Sequence, residues 1–393
     1  MKQAETKVIV PEIAKRIERV LPFLAMDVLA AAALRERKGH SVIHMEVGQP
    51  SAPAPKPARE AAKAAIDLGR IGYTEALGIA PLRERIAKHY TEQYAVPVTA
   101  ESIVTTTGSS AGFVLAFLAM FNPGDRVAIT APGYPAYRSI LEALDIEPVF
   151  IKLNREDGWV LTAEALEKAH AEKPLQGVLI MSPANPSGTM VNGSGLSDIA
   201  DFCKKNGVWL ISDEIYHGLT YGVEPETALK YNENAVVINS FSKYYCMTGW
   251  RIGWIVVPKQ LVRAVETLAQ NLYISAPYLS QVAAMAAFNA KDDLEKIKLG
   301  YAANRSMLLE ELPKIGISDM HPVNGAFYIY ANVAHLTDDS LAFCRKVLNE
   351  AGVAITPGLD FDPFDGKHHI RLSFAGSAKD CREAVSRLGT WLK

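Results

Sequence analysis

The chain has 393 residues, of which 49% are hydrophobic and 21% are charged. These fractions are typical of globular proteins and exclude an intrinsically disordered or collagen-like chain. Because 41 Lys and Arg residues are opposed by 43 Asp and Glu residues, the formal net charge is −2. Such a balance provides no overall attraction to nucleic acid or to an anionic membrane, and we expect neither as a partner.

Targeting and redox signals are weak throughout the chain. The longest uninterrupted apolar run, residues 111–121, is much shorter than the roughly 20 residues that span a bilayer. The segment MKQAETKVIVPEI has no apolar signal core and no small-residue cleavage site, so we expect a cytoplasmic protein. The cysteines are Cys203, Cys246, Cys344 and Cys381. Their scattered positions favour buried thiols over a disulfide framework or a zinc site, and we expect no bound metal.

The first segment of the chain favours helix. Residues 1 to about 45 are helix-forming and partly amphipathic, with VLAAAALRER at 28–37. The next stretch, VGQPSAPAPKPARE, contains four prolines, which we expect to interrupt any helix. Taken alone, it indicates either a surface linker or a loop that enters a functional site.

From about residue 100, short apolar strands alternate with helices. The predicted strands are SIVTTTG, RVAIT, EPVFIKL, GVLIMSP, VWLISDE, AVVINSFSK and IGWIVV, and the predicted helices are SSAGFVLAFLAMF, PAYRSILEAL, TAEALEKAHAE and LSDIADFCKKNG. We expect Ser109 to be the N-cap of the first helix and Gly207 to end the last. This alternation predicts a mostly parallel sheet with helices on both faces, in which ligands bind beyond the carboxyl ends of the strands.

From Tyr278 onward the pattern changes. Helices are predicted at about 279–313 and 338–351, strands at GAFYIYANV and HHIRLSFAG, and a final helix up to Leu392. We therefore predict three segments. Residues 1–47 form an N-terminal part of a small domain, residues 48–285 form a large domain, and residues 286–393 complete the small α+β domain.

Five short motifs follow the predicted strands. They are TTGSSAGF at 106–113, PGYP at 132–135, MSPANPSGT at 181–189, VWLISDEIYHG at 208–218 and SFSKYYCMTGWRIGW at 240–254. The last is the most informative, because Lys243 lies among aromatic and small residues and is followed by Arg251. Desolvation beside a second cation lowers the pKa of a lysine and makes its amine nucleophilic. Two hydroxyls, Ser240 and Ser242, together with the guanidinium of Arg251 would suit a phosphate.

Each of the other motifs has a structural explanation when taken alone. Asp213 could cap a helix, Asn185 could lie in an ordinary tight turn, and Tyr134 could be a core or loop aromatic. The Gly-Ser-Ser run leading into Ser109 and Ser110 is a common capping pattern, although a helix that begins there is also a ready anion site.

Taken together and in this order, the motifs resemble those of fold type I pyridoxal-phosphate enzymes, and most closely the class I/II aminotransferases, which include aspartate and aromatic aminotransferases. The resemblance runs from about Val47 to about Arg371, and its most specific part is S-x-S-K followed eight residues later by Arg, after NPSGT and D-x-x-Y. It implies an α/β fold with a large, mostly parallel sheet domain and a smaller α+β domain. It also implies pyridoxal 5′-phosphate as cofactor and transfer of the amino group of an L-amino acid to a 2-oxo acid.

The resemblance assigns cofactor roles to individual residues. Lys243 matches the lysine that forms a Schiff base with the cofactor and carries the proton of a 1,3-shift. Asp213 matches the partner of the pyridine nitrogen, which keeps the ring an electron sink. Asn185 and Tyr216 match the donors to the phenolic oxygen, and Tyr134 matches the aromatic that stacks on the ring. The residues that match the phosphate site are Ser109, Ser110, Ser240, Ser242, Arg251 and, from a partner subunit, Tyr73.

Substrate binding and assembly follow from the same resemblance. Arg371 matches the arginine that binds the substrate α-carboxylate, with Asn185 beside it, and Gly48 matches the glycine whose backbone lies against that carboxylate. The proline-rich stretch after Gly48 is then an active-site loop. Because Tyr73 can reach a phosphate only across an interface, the resemblance implies a homodimer with shared active sites.

Other functions are not excluded by these motifs. A β-lyase on the same scaffold would use the same residues. A non-catalytic ligand-sensing module usually carries an additional N-terminal DNA-binding domain, whereas only about 45 residues, without basic excess, precede VGQP here. A dinucleotide fingerprint is nearly matched by GSGLSD at 193–198, but Asp198 replaces its final glycine. His368 and His369 lack further ligands at metal-binding spacing.

The substrate side chain is addressed by one stretch, QNLYISAPYLSQ. In one branch of the aspartate aminotransferases, an arginine of the partner subunit near this position binds the distal carboxylate. Here Asn271 lies near that position, and no basic residue occurs between Gln270 and Gln281. Because an unpaired buried carboxylate is costly, we predict neutral or aromatic donors, which Tyr273 and Tyr278 would suit. Other branches bind dicarboxylates through a cation elsewhere, which leaves that alternative open.

Overall fold

In a computed structural model, which describes residues 11–393, helices and strands alternate as the sequence predicts. The strands are β1 (Ile43–His44), β2 (Ile103–Thr106), β3 (Arg126–Ala131), β4 (Glu147–Lys152), β5 (Gly177–Met181), β6 (Trp209–Asp213), β7 (Val236–Ser240), β8 (Gly253–Val256), β9 (Asp319–Met320), β10 (Tyr328–Asn332), β11 (Val353–Ala354), β12 (Thr356–Pro357) and β13 (His369–Ser373). The helices are α1 (Leu24–Arg37), α2 (Lys56–Asp67), α3 (Ala80–Tyr94), α4 (Ser109–Met120), α5 (Pro135–Ala143), α6 (Ala163–Glu172), α7 (Gly193–Asn206), α8 (Lys259–Leu272), α9 (Tyr278–Ala287), α10 (Lys291–Glu311), α11 (Ser340–Lys346) and α12 (Ala378–Trp391). Residues 1–10, part of the segment expected to favour helix, lie outside the described residues.

Seven strands form the large sheet, in the order β2-β8-β7-β6-β5-β3-β4. Strand β8 runs antiparallel to both of its neighbours, and every other pair in the sheet is parallel. The prediction of a large, mostly parallel sheet is therefore confirmed. Parallel strands place their carboxyl ends at one edge, and this edge carries the loops in which the motifs lie.

Helices cover both faces of the large sheet. Successive side chains of a strand point to opposite faces, so Val178 and Leu210 belong to one apolar core, whereas Leu179 and Ile211 belong to the other. The first core is completed by α2, α3, α6, α7 and α9, and the second by α4, α5 and α8. This burial on both faces explains why the strands are continuously apolar.

Two details of the helix ends differ from the sequence prediction. The prolines after Gly48 interrupt helix, as expected, but the last two also begin one. Pro55 is the N-cap of α2 and Pro57 lies in its first turn, where the missing N–H costs nothing. Ser109 is the first residue of α4 and not its N-cap, which is Gly108 with φ 79°. A Cβ on Gly108 would lie 2.4 Å from Nη2 of Arg251, so this position requires glycine.

A smaller antiparallel sheet, in the order β12-β13-β10-β9, packs with α10, α11 and α12. Strand β1 pairs in parallel with β11, and Ile43 joins the same apolar core as this sheet. Helix α10 connects the two parts, because Leu294 packs in the core of the large sheet and Leu308 in that of the small one. Within the described residues β1 therefore packs with the small sheet, and the predicted domains, 1–47, 48–285 and 286–393, stay predictions.

Two further features concern the described residues as a whole. No helix within residues 11–393 combines the length and the apolar character needed to cross a membrane. The four cysteines are buried free thiols, in agreement with the prediction.

The first turn of α1 is anchored by a remote carboxylate. The backbone N–H groups of Leu24 and Ala25 each donate to the Asp360 side chain at 3.0 Å. These groups have no partner within the helix, and a negative charge at a helix N-terminus is favourable. Burial raises the pKa of Asp360, and the two backbone hydrogen bonds oppose that rise. Asp360 therefore fixes where α1 crosses the molecule.

We expect Asp360→Ala to release α1, because loss of a comparable cap costs about 0.5–2 kcal/mol. Amide hydrogen exchange in the peptide that contains Leu24 and Ala25 should accelerate about 5- to 30-fold for a loss of one or two kcal/mol. Asp360→Asn keeps one acceptor oxygen and should accelerate exchange less. Equal protection of α1 in the wild type and in Asp360→Ala would show that the carboxylate does not anchor the helix.

Candidate active site

The predicted site residues converge on one cavity of about 240 Å³ at the carboxyl edge of the large sheet, where it faces the small sheet. The predicted residues that line it are Gly48, Ser109, Ser110, Tyr134, Asn185, Asp213, Tyr216, Ser242, Lys243, Arg251 and Arg371. Ser240 instead borders a larger cavity, of about 440 Å³, on the far side of these loops. We identify the smaller cavity as the functional one, because charged groups with shifted pKa values converge in it.

The strand ends explain why these side chains meet. Asp213 is the last residue of β6, and Lys243 follows the end of β7 by three residues. Tyr134 follows β3 and is the N-cap of α5, whereas Ser109 begins α4 directly after β2. Arg251 lies two residues before the antiparallel strand β8, so it reaches the same edge from the opposite direction.

Asp213 is a buried carboxylate with two donors. Its Oδ1 accepts the N–H of Ile215 at 3.0 Å, and its Oδ2 accepts the hydroxyl of Tyr137. Burial raises the pKa of Asp213 to about 6, although both hydrogen bonds and the charge of Lys243 lower it. At neutral pH the carboxylate is therefore largely ionised yet poorly solvated, which suits a cationic partner.

Lys243 is a lysine with an unusually acidic ammonium group. Its Nζ donates to the carbonyl oxygen of Gly48 at 2.6 Å. Burial in the cavity, followed by the charges of Arg371 and Arg251, lowers the pKa of Lys243 to about 8, while Asp213 opposes the shift. About a tenth of the side chain is thus a neutral, nucleophilic amine at pH 7, far more than for a lysine with the ordinary pKa.

Arg371 is a buried guanidinium group held between aromatic rings. Its Cζ lies 4.4 Å from the centre of the Tyr328 ring and 4.6 Å from that of Phe361. Nη1 donates to Oδ1 of Asn185 at 2.9 Å, Nη2 donates to the carbonyl oxygen of Glu46, and Nε has no partner. Within residues 11–393 no carboxylate forms an ion pair with it. Because a buried unpaired charge is costly, the site is suited to an anion from outside the chain.

A second anion-binding surface lies at the start of α4. The hydroxyls of Ser109 and Ser110 and the free N–H groups of the first helical turn face the cavity, beside the guanidinium of Arg251. Arg251 adopts a left-handed backbone conformation, with φ 50°, and its Nη1 donates to the carbonyl oxygen of Thr248 at 3.0 Å. Ser240 supports this loop from behind, because its Oγ lies 2.9 Å from Oγ of Ser242.

Three comparisons with known proteins agree with this geometry. The family model described as aminotransferase class I and II matches residues 40–388. The chain belongs to this family. A valine–pyruvate aminotransferase of Mycobacterium tuberculosis is 50% identical over 377 residues, which cover 95% of this chain and 97% of the relative. A (5-formylfuran-3-yl)methyl phosphate transaminase of Methanocaldococcus jannaschii is 35% identical, with 97% and 99% covered.

Solved structures place the aminotransferase in the same fold type. The crystal structure of an aminotransferase from Mycobacterium tuberculosis matches with a TM-score of 0.94 at 49% identity, covering 98% of this chain and 99% of that one. The aspartate aminotransferase from Thermus thermophilus with maleate matches with a TM-score of 0.92 at 27% identity, covering 97% and 100%. The predicted fold class and the predicted reaction, amino transfer from an amino acid to a 2-oxo acid, are thereby confirmed. Class I and II aminotransferases depend on pyridoxal phosphate.

Nine residues that line the cavity of the aminotransferase escaped the sequence analysis or received no role there, and four of them are Tyr328, Phe23, Met26 and Gln49. Tyr328, on β10, hydrogen-bonds with Tyr216 at 2.7 Å between the hydroxyl oxygens. Phe23 and Met26 reach the cavity from the start of α1, and Gln49 follows Gly48. Tyr328 was the most accessible to prediction, because alternate residues of β10 and β13 share the face that carries Arg371. No periodic signal marks the other three.

Tyr137 also escaped the sequence analysis. It lies outside the cavity wall, but its hydroxyl donates a hydrogen bond to the Asp213 carboxylate. It follows Tyr134 by three residues, which is nearly one helical turn, and the two rings meet edge to face at 5.2 Å. The spacing in PGYPAY is thus a signal that could have identified it.

Some predicted residues of the aminotransferase do not reach the cavity within one chain. Tyr73 is 83% exposed and borders a surface groove with Tyr278. Tyr273 and Asn271 also lie outside the cavity wall. The prediction that Tyr73 serves a partner subunit therefore stays a prediction. Within residues 11–393 no three potential metal-ligating side chains converge.

The lowered pKa of Lys243 can be measured on the cofactor-free protein by competitive acetylation followed by mass spectrometry, since only the neutral amine reacts. We expect its reactivity to titrate near pH 8, far below the ordinary 10.5. Arg371→Gln should move the midpoint upward, because Arg371 is the largest neighbouring charge that lowers this pKa. Arg371→Lys, which keeps the charge, serves as the control. A wild-type midpoint near the ordinary value would contradict the analysis.

Proposed function

We propose that this aminotransferase binds pyridoxal 5′-phosphate in the smaller cavity and transfers the amino group of a neutral L-amino acid to a 2-oxo acid. The observation that carries the proposal is the convergence of three groups in that cavity. They are the acidic ammonium group of Lys243, the buried carboxylate of Asp213 and the unpaired guanidinium of Arg371. No other described cavity combines a nucleophilic amine with two separate anion-binding surfaces.

The residues present fit the cofactor. A phosphate carries two negative charges, and the start of α4 offers it free N–H groups, two serine hydroxyls and the guanidinium of Arg251. Gly108 supports this fit, because a side chain there would meet Arg251 at 2.4 Å and displace it. We assign Ser109, Ser110, Ser242 and Arg251 to the phosphate, with Ser240 holding Ser242 in place.

When bound, pyridoxal phosphate supplies an aldehyde that an amine can capture and a ring that withdraws electrons from the substrate Cα. Lys243 would hold the cofactor covalently, and its amine would carry a proton between two carbon atoms once the substrate has released it. Asp213 would pair with the ring nitrogen and keep it protonated. Asn185 and Tyr216 would donate to the phenolic oxygen, and Tyr134 would stack on the ring.

Arg371 binds the α-carboxylate of the substrate. Its planar guanidinium group is preorganised by the Tyr328 and Phe361 rings and by Asn185, and its Nε remains available for a further acceptor. Glycine at position 48 leaves room for the Tyr328 side chain beside Arg371, because a Cβ at this position would lie 1.6 Å from the hydroxyl oxygen of Tyr328. A substrate held here by its carboxylate presents its Cα towards Lys243.

The remaining cavity wall suits an apolar side chain. Phe23, Ala25, Met26 and Val47 line it, and its only basic residues among those described are the three already assigned to other groups. A second carboxylate would therefore be buried without a cation, which is costly. The name of the valine–pyruvate aminotransferase, a relative at 50% identity, supports a neutral donor.

We also propose a cytoplasmic homodimer. The region around Tyr73 exposes several large apolar side chains, namely Ile66, Leu68, Ile71 and Tyr73 itself. Contiguous exposed apolar surface is characteristic of an interface, and C₂ dimers are the most frequent closed assembly. Tyr73 of the partner subunit would then complete the phosphate site.

The function is tested by a half-reaction in which L-valine is added to the cofactor-loaded enzyme without any 2-oxo acid. We expect one equivalent of 2-oxo acid per site and conversion of the cofactor to its amine form, followed by absorbance. Lys243→Ala should lose covalent cofactor and slow this step by at least about 10²–10⁴-fold, the usual contribution of a positioned acid–base group.

Lys298→Ala is the matched control, because Lys298 lines the other cavity. Borohydride reduction of the wild type should label Lys243 in a peptide map. Labelling of a different lysine would overturn the assignment, and release of ammonia in place of amino transfer would favour the β-lyase.

Substrate preference follows from the absence of a free cation in the described cavity wall. We expect kcat/KM for aspartate to be at least about tenfold below that for valine, a difference of about 1.4 kcal/mol in transition-state binding. Met26→Ala should lower kcat/KM for valine more than for alanine, since valine buries more apolar surface against that wall. Aspartate as the best donor would show that another cation, such as one from a partner subunit, completes the pocket.

A further inference from the structure

We propose that Tyr328 is a positioning residue that transmits carboxylate binding at Arg371 to the hydroxyl of Tyr216. The inference rests on the proposed function, in which Arg371 holds the substrate carboxylate and Tyr216 donates to the cofactor. It adds a residue to which the sequence motifs assign no role. Tyr328 would act through Tyr216 and not on the reacting atoms.

Tyr328 is the one described residue that contacts both of these groups with its own ring and hydroxyl. Its hydroxyl oxygen lies 2.7 Å from that of Tyr216, and the two rings meet edge to face at 5.7 Å. The guanidinium of Arg371 lies 4.4 Å above the centre of its ring. Both tyrosines are almost completely buried, so water does not replace these contacts.

The position of Tyr328 is also constrained from the other side. A Cβ on Gly48 would lie 1.6 Å from the Tyr328 hydroxyl oxygen, so the backbone of Gly48 packs directly against it. Strand β10 fixes the direction of the side chain, since Tyr328 and Tyr330 lie on the face of the sheet that carries Arg371, opposite to Ile329 and Ala331. The ring therefore has little freedom to turn away from Tyr216.

A count of protons shows why this contact matters. Each phenol has one proton, and only one of the two hydroxyls can donate in the bond between them. Tyr216 can donate to the cofactor only if Tyr328 donates to Tyr216. Burial raises the pKa of both phenols, that of Tyr216 well above its ordinary value, and Arg371 opposes the rise in both but more strongly at Tyr328, above whose ring it lies. The more acidic phenol is the better donor, so Tyr328 donates and leaves the Tyr216 proton free.

Carboxylate binding changes this arrangement through charge. A carboxylate on Arg371 neutralises the cation above the Tyr328 ring, which makes Tyr328 a weaker donor to Tyr216. A hydroxyl that accepts a weaker hydrogen bond also donates a weaker one, because such bonds polarise each other. The phenolic oxygen of the cofactor then loses stabilisation as an anion, and the lysine–cofactor linkage retains its proton to higher pH.

The test is a pH titration of the visible absorbance of the cofactor-loaded enzyme, with and without a monocarboxylate that lacks an amino group, such as 3-methylbutanoate. We expect Tyr328→Phe to raise the midpoint in the absence of the carboxylate. We also expect the carboxylate-induced shift to fall about twofold or more, as for residues coupled in one network. Part of the shift should persist through the bond between Arg371 and Asn185.

Tyr330→Phe is the matched control, because Tyr330 lies on the same face of the same strand and its hydroxyl has no partner. Its midpoint and its carboxylate-induced shift should equal those of the wild type. If Tyr328→Phe also behaves as the wild type does, the inference is wrong while the proposed function stands. If the wild type shows no titrating lysine-bound cofactor, the proposed function itself fails.

Discussion

The buried guanidinium of Arg371 is the constraint around which the small sheet and its contacts with the large sheet are arranged. Without a carboxylate of the described chain beside it, the charge is stabilised by two aromatic rings, by the amide oxygen of Asn185 and by the carbonyl oxygen of Glu46. Each of these partners comes from a different segment of the chain. Burying the unpaired cation therefore lowers the free energy of unfolding, and an anion that binds there raises it again.

The same cation acts on the chemistry of the large sheet. Arg371 lies on β13, yet it is the largest charge that lowers the pKa of Lys243, which follows β7. A lysine in this loop without that neighbour would be more often protonated and less nucleophilic. The contact between the two sheets is thus an electrostatic coupling as well as a packing interface, and Tyr328 extends it to Tyr216.

Local sequence was sufficient to predict the residues at strand ends, and insufficient for residues that act through distant contacts. Asp213 and Lys243 were predictable because an apolar strand and a following polar loop identify the edge of a parallel sheet. Tyr137 and Tyr328 are separated by 76 and 112 residues from the side chains that they contact, so local spacing can place each of them near the site but cannot identify its partner. Only the end of the proline-rich stretch was misjudged, for another reason, since Pro55 and Pro57 are compatible with a helix start.

The contribution of α1 lay beyond local prediction altogether. Phe23 and Met26 enter the cavity from the start of a helix whose first N–H groups are bound by Asp360, more than three hundred residues away. Helix propensity can indicate that α1 forms, but it carries no information about where a remote carboxylate will hold it. The substrate-facing wall is therefore the part of the site that depends most on tertiary structure.

The two shifted pKa values also define the pH range in which the buried charges of Asp213 and Lys243 destabilise the fold. The folded-state pKa of Asp213 is raised to about 6, so its ionisation destabilises the fold as pH rises through that value. The folded-state pKa of Lys243 is lowered to about 8, so its charge destabilises the fold at lower pH and this penalty fades as pH rises through 8. Between about pH 6 and about pH 8, the buried charges of Asp213 and Lys243 both destabilise the fold. A ligand that pairs with Asp213 and takes up the Lys243 amine removes both, which links the reactivity of the site to its affinity for the cofactor.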